Sequence, residues 1–146
     1  MIVLKNNVEM RTIKLTRPNE KYNKDINYKI KNSKGITIDT IANNTTIELS
    51  VQDDIDFFEV KMLWCGSNKI QLVKTQFEFE FIITGNKYFN KYLPLSGAFF
   101  GLITIFINMN IISRSIGIAI VTLSIFYIFL CLTILKDKWL NYEEVL

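Results

Sequence analysis

The sequence predicts a mainly β soluble domain, an antiparallel β-sandwich of about seven strands, followed by a transmembrane α-helical hairpin. Three observations carry this expectation. Residues 1–91 alternate apolar and polar with period two, the signature of half-buried strands. The same segment holds 14 of the 17 basic and 11 of the 14 acidic residues. Between Tyr92 and Leu135 the only charge is Arg114. A chain that is 49% hydrophobic and 21% charged therefore divides into two materials, with a boundary near Lys91.

The strands follow in order. Met10 to Leu15 alternates, and Pro18 suits the loop after it because proline cannot donate to a ladder. Ile26, Tyr28 and Ile30 share a face, and Asn32-Ser33-Lys34-Gly35 is a turn in which Gly35 can take a positive φ. Ile36, Ile38 and Ile41 continue to a second turn at Asn43-Asn44. Ile47, Leu49 and Val51 precede a break at Gln52-Asp53-Asp54, and Phe58, Val60, Met62 and Trp64 precede one at Cys65-Gly66-Ser67-Asn68. Ile70 and Leu72 follow, then Phe77, Phe79, Phe81 and Ile83. The expected core is aromatic, with Phe58, Trp64, Phe77, Phe79 and Phe81 carrying most of the buried area.

Leu93–Ile112 and Ile116–Leu135 are uncharged runs of 20 residues each. At about 1.5 Å per residue each reaches roughly 30 Å, the hydrocarbon thickness of a bilayer. The short link Ser113-Arg114-Ser115 makes them an antiparallel pair. Asn108 and Asn110 are polar enough for the first helix to end a turn early. Lys87 and Lys91 precede the pair and Lys136 and Lys138 follow it, against Arg114 in the link. Positive charge favours the cytoplasmic side, so both termini are expected in the cytoplasm and the chain in the inner membrane. The run Met1-Ile2-Val3-Leu4-Lys5 has no features of a signal peptide. Tyr92, Trp139 and Tyr142 are candidate interfacial anchors, and 136–146 is expected to be a short cytoplasmic tail.

The segment Ile13 to Ile83 resembles the PEGA-like small β-sandwich domains of uncharacterised bacterial membrane proteins. The matching residues are Tyr28-Lys29-Ile30, Ile38 to Ile41 with the Asn43-Asn44 turn, Thr46 to Val51, and above all Val60-Lys61-Met62-Leu63-Trp64-Cys65-Gly66-Ser67-Asn68-Lys69-Ile70. Where the family has a Pro-Gly-Lys-His type of turn this chain reads Asp53-Asp54-Ile55-Asp56. The resemblance implies a binding or structural module without a known activity.

The chemistry-bearing residues point the same way. There is no histidine, which excludes Ser-His-Asp and Cys-His catalysis and imidazole-based metal sites. Trp64-Cys65-Gly66-Ser67 resembles the first half of a thioredoxin-like W-C-G-x-C motif, but Asn68 stands where the resolving cysteine is needed. Cys131 lies in the second helix, and separate environments argue against a disulfide with Cys65. Asp53, Asp54, Asp56 and Glu59 form an acidic cluster without calcium-loop spacing, read as a solvated turn and a candidate surface contact. Gly97 and Gly101, with Gly117 and Ala119, offer small positions for close helix approach, either within the hairpin or towards another chain. A net charge of +3 is too dilute for nucleic-acid binding. No cofactor, metal or small-molecule substrate is indicated. The expectation is therefore a non-enzymatic, membrane-anchored adaptor or accessory subunit of a larger bacterial complex. Its partners would be the bilayer and either a membrane protein or a second copy. The alternative is an immunity or defence-associated membrane protein acting against a toxin.

Overall fold

The structure is a computed structural model and describes residues 10–52 and 54–145, with the side chain of Tyr92 excepted. Eight strands come first: β1 (Met10–Arg17), β2 (Tyr28–Asn32), β3 (Thr37–Ile41), β4 (Thr45–Gln52), β5 (Phe57–Met62), β6 (Cys65–Gly66), β7 (Ile70–Gln71) and β8 (Glu78–Gly85). Two long helices follow, and a ninth strand, β9 (Leu140–Glu144), closes the described chain. The strands build two open sheets, one in the order β4-β1-β8-β9 and one in the order β3-β2-β5-β6 with β7 also on β5.

Two features depart from the expected antiparallel seven strands. β1 and β8 run parallel, with Ile13 beside Phe79 and Leu15 beside Phe81. A parallel pair needs a long crossover, and here the crossover contains β4 and the whole second sheet. The segment expected as a tail instead supplies β9, antiparallel to β8 with Tyr142 opposite Ile83. Tyr142 is thus a strand residue on a sheet edge.

Local chemistry sets the turns. Asn32 Oδ1 accepts from the amides of Lys34 and Ile36, both at 3.0 Å, and Gly35 takes φ +75°. Asn44 sits at φ 57° in the turn before β4, a conformation asparagine tolerates. Buried side chains from both sheets form one apolar cluster, in which the Phe58 and Phe81 rings meet edge to face at 5.6 Å. The alternation expected for β2, β5 and β8 is observed, with Tyr28, Ile30, Phe58, Val60, Met62, Phe79, Phe81 and Ile83 all buried.

Other expected core positions differ. Trp64 and Phe77 are each 53% exposed. Trp64 follows Leu63, whose φ of 55° turns the chain and breaks the alternation, and Phe77 precedes the first residue of β8. Ile36 and Ile38 are exposed at the free edge of the second sheet, so Ile41 alone is buried from β3. The inward face of β1 carries Arg11 and Arg17 beside Ile13 and Leu15, and both arginines are fully buried.

The helical part starts earlier than expected. A π-helical turn (Tyr88–Tyr92) and a 3-10 turn (Leu93–Leu95) lead into α1 (Ser96–Asn108). Pro94 accounts for the irregular start, because it lacks an N–H and its ring crowds the preceding turn. α1 ends at Asn108, a turn before Ile112, and Asn110 at φ 55° reverses the chain. α2 (Arg114–Thr133) begins with the Ser113 hydroxyl capping the Ile116 amide at 3.5 Å. Tyr88–Asn108 and Arg114–Thr133, 21 and 20 residues, are long and apolar enough to cross a membrane, and few of their residues are buried.

Hydroxyls within the helices bond to their own backbone. Thr104 donates to the Phe100 carbonyl, Ser124 to Ile120 and Thr133 to Phe129, at 2.9, 2.8 and 2.7 Å. The two helices approach at Gly117, where a Cβ would meet Ile107 Cδ1 at 2.4 Å.

Candidate functional site at the junction of strands and helices

The most organised polar chemistry lies where β1, β8 and the helical part meet. Arg17, the last residue of β1, points inward and must have its five N–H groups satisfied. Its Nε donates to Glu20 Oε2 at 2.9 Å, Nη1 donates to the Ile26 carbonyl at 2.7 Å, and Nη2 donates to the Asn23 carbonyl at 2.7 Å. Its guanidinium also lies 3.5 Å from the centre of the Tyr28 ring, a stacked cation–π arrangement.

Glu20 answers this charge and links three segments. Its Oε2 accepts from Arg17 and from the Tyr28 hydroxyl, and its Oε1 accepts from the backbone amide of Gly85 at the end of β8. Its own amide donates to Asn43 Oδ1 at 2.8 Å. Burial, with the Glu20 carboxylate beside it, holds the Tyr28 phenol well above its ordinary pKa, so this hydroxyl remains a donor. Gly85 leaves room at this crossing: a Cβ there would lie 2.6 Å from Asn23 Nδ2 and 2.7 Å from Asn90 Nδ2, so those side chains would have to shift.

Beside this knot is a cavity of about 470 Å³, with Glu20, Lys21, Asn23, Gly85, Lys87 and Lys91 among its walls. Lys21 comes from the loop after β1, while Lys87 precedes the π-helical turn and Lys91 lies within it. These segments are distant in sequence, and the Glu20–Gly85 hydrogen bond brings them together. Nothing in the local sequence of Asn19-Glu20-Lys21 signals it. The one available sign was Arg17 sharing the parity of the buried Ile13 and Leu15.

A second set of contacts docks the far end of the hairpin. The Trp139 ring stacks on Phe89 at 5.3 Å and meets Trp64 edge to face at 5.4 Å. Its indole N–H donates to the Cys131 carbonyl at 3.2 Å. Trp139 is therefore held in an aromatic cluster rather than projecting as a free anchor. Asn86 donates from its amide to the Trp139 carbonyl at 2.9 Å, and Lys61 Nζ reaches Asp137 at 2.8 Å and Glu59 at 3.1 Å. Burial acts to lower the Lys61 pKa, but the bonds to Asp137 and Glu59 outweigh it, and the ammonium titrates above its ordinary value.

The sequence-predicted positions fall elsewhere. Asp53 lies outside the described residues. Asp54 pairs with Lys34 at 3.2 Å, Asp56 with Lys74 at 3.6 Å and Glu59 with Lys61, so these acids do not converge. Among the described residues no group of three metal-type ligands comes together. Gly97, Gly101 and Ala119 are exposed, with open space above both glycines, while Gly117 alone of the four is buried between the helices.

Cys65 is buried and donates from Sγ to the Met62 carbonyl at 3.1 Å. Burial pushes its thiol up to about 11, the opposite of what a reactive cysteine needs. No protein-family model matches the chain, and neither the curated proteins nor the solved structures contain a match.

Two outcomes follow from this geometry. Glu20→Ala strands the Arg17 guanidinium in the interior, and loss of one member of a buried pair costs about 3–5 kcal/mol. Chemical unfolding in detergent is expected to show that loss, with Glu20→Gln retaining part of the stability. The Cys65 thiol stays protonated at pH 8, so its alkylation by iodoacetamide is expected to be roughly 100-fold slower than in the denatured chain. The sign for stability is fixed by the raised value: the Cys65 contribution is full below pH 9.0 and is lost as pH rises through about 11.

Proposed function

We propose that the chain is a non-enzymatic, membrane-anchored adaptor or accessory subunit. In this reading the two sheets form a PEGA-like β-sandwich on the cytoplasmic face of a bacterial inner membrane, and the two helices cross the bilayer as a hairpin. The observation that carries the reading is the pair of apolar helical stretches of 21 and 20 residues, most of whose surface is left uncovered. A soluble domain would cover such faces, and water would penalise them. Three features agree with it. The hydroxyls of Thr104, Ser124 and Thr133 are satisfied inside their own helices, which hydrocarbon requires. The turn end of the hairpin carries Arg114, while the strand-side ends carry Lys87, Lys91, Lys136 and Lys138. β9 returns to the first sheet, as a hairpin with both ends on one side of a bilayer would require.

The partner surface is assigned to the helices. The hairpin itself closes on Gly117, and Gly97 and Gly101 present a small outward face of the kind membrane helices use for close approach. In membranes, a crosslinked higher-mass species is expected for the parent chain. It should be lost in the Gly97→Leu/Gly101→Leu double variant while the monomer remains folded. Gly117→Leu should instead open the hairpin, because its side chain would overlap Ile107. A crosslinking pattern unchanged by the double variant would remove the helices as the contact surface.

A further inference from the structure

We propose that the two-residue turn Leu63-Trp64, between β5 and β6, inserts into the boundary between lipid headgroups and acyl chains. The proposal rests on the reading of the helices as membrane-crossing, and it adds a lipid-contacting surface on the strand domain. The turn is unusual for chain that faces water. Met62 pairs with Cys65, so Leu63 and Trp64 alone close the strand hairpin. Such positions favour Asn, Asp or Gly. Leu63 instead takes φ 55°, a costly conformation for a bulky side chain, and is 72% exposed. Trp64 beside it is half exposed. Water penalises both exposures, whereas the membrane interface accommodates leucine and favours indole.

Two sets of contacts fix the level of this turn. The Trp64 ring lies 5.4 Å from the Trp139 ring, whose N–H donates to the Cys131 carbonyl at 3.2 Å. Cys131 belongs to the last turn of α2, so Trp64 stands close to the level at which that helix ends. Lys61, at the end of β5, is held to Asp137 at 2.8 Å. On the neighbouring strand, the Tyr28 hydroxyl bonds to Glu20, which also accepts from the Gly85 amide at the base of the first helix. This end of the second sheet therefore faces the base of the helical hairpin. Ile134, 72% exposed, and the exposed Lys136 and Lys138 leave α2 at the same level. An apolar side chain followed by cations suits the step from hydrocarbon to headgroups. The occupant follows from the size of the tip. A stable protein interface buries about 1,200–2,000 Å², far more than two side chains supply. A bilayer needs no matching shape and is continuous with the lipid around α2.

The test uses the full chain in phosphatidylcholine nanodiscs, which leave both membrane faces open to solutes. Leu63→Cys, Leu123→Cys and Val73→Cys are made singly in a Cys65→Ser/Cys131→Ser background and labelled with bimane. Leu123 is exposed on α2. Val73 is exposed in the turn before β8, where the Phe77 carbonyl accepts from Thr12 near the start of β1, away from the Gly85 end. A nitroxide on the upper acyl chain reads lipid contact and iodide reads water. Position 123 is expected to answer to the nitroxide and position 73 to iodide. Position 63 should answer to the nitroxide, with iodide quenching about five-fold weaker than at 73. The native side chains are read through Trp64 alone in a Trp139→Phe chain, where brominated phosphatidylcholine should quench its fluorescence. Adding Leu63→Asn, which suits the backbone and removes the apolar tip, should weaken that quenching with the unfolding transition retained. The proposal is overturned if position 63 behaves like 73 while 123 meets lipid, a result that leaves the helical anchor standing. Protection of position 63 from both quenchers also overturns it, in favour of a protein partner, as does unchanged Trp64 quenching in the Leu63→Asn chain. A position 123 that does not meet lipid overturns the membrane-crossing reading, and the proposal with it.

Discussion

A buried arginine needs a counter-charge, and the structure of this chain depends on where that charge comes from. Arg17 faces the apolar interior at the end of β1, and Glu20 turns back three residues later to meet it. Had Glu20 only neutralised Arg17, the effect would be local. Its second oxygen instead takes the Gly85 amide, 65 residues away, and Oε2 also takes the Tyr28 hydroxyl of the other sheet. One carboxylate thus joins the first sheet, the second sheet and the point where the chain leaves β8 for the helices. A polar interaction of this kind adds little net stability over a well-packed apolar one, yet it is costly to break and specific in direction. What it specifies here is the relation between the strands and the base of the helical hairpin.

The far end of the hairpin is held by different physics. Trp139 is packed between Phe89 and Trp64, and β9 extends the first sheet beyond β8. Lys61 and Asp137 add an ion pair from the second sheet. Both ends of the helical hairpin are therefore attached to the strand domain, one by the polar knot and the other by aromatic stacking and backbone pairing. A hinge at a single linker would need few such contacts. The attachment instead makes the strand domain and hairpin base one packed unit, and places the lysine-rimmed cleft at a fixed position relative to the first helix.

Much of this was legible in the sequence, and the parts that were not have identifiable causes. Period-two alternation located Ile13, Leu15, Phe58, Val60, Phe79 and Phe81 because each lies in a strand with one buried face. The same reasoning extended the pattern to Trp64, one residue past a turn at Leu63, where parity no longer holds. Alternation alone did not single out Arg11 and Arg17, which are both buried. β9 buries only Leu140, too little for a periodic signal, and no local feature marks β1 and β8 as parallel partners. The apolar helices were plain from composition, with boundaries shifted by Pro94 and Asn110. The site was the least legible part. Lys21 and Lys87 are 66 positions apart, and their meeting depends on a side-chain-to-backbone bond that no motif encodes.

The central claim is that the two apolar helices span a bilayer with the strand domain on one side. Accessibility of introduced cysteines tests it directly, in a Cys65→Ser/Cys131→Ser background reconstituted in sealed vesicles of known orientation. Ser115→Cys in the first turn of α2, at the tip of the hairpin, and Lys69→Cys in the strand domain are each treated with a membrane-impermeant maleimide. The account predicts labelling from opposite faces of the membrane. Labelling of both from the same face would contradict it.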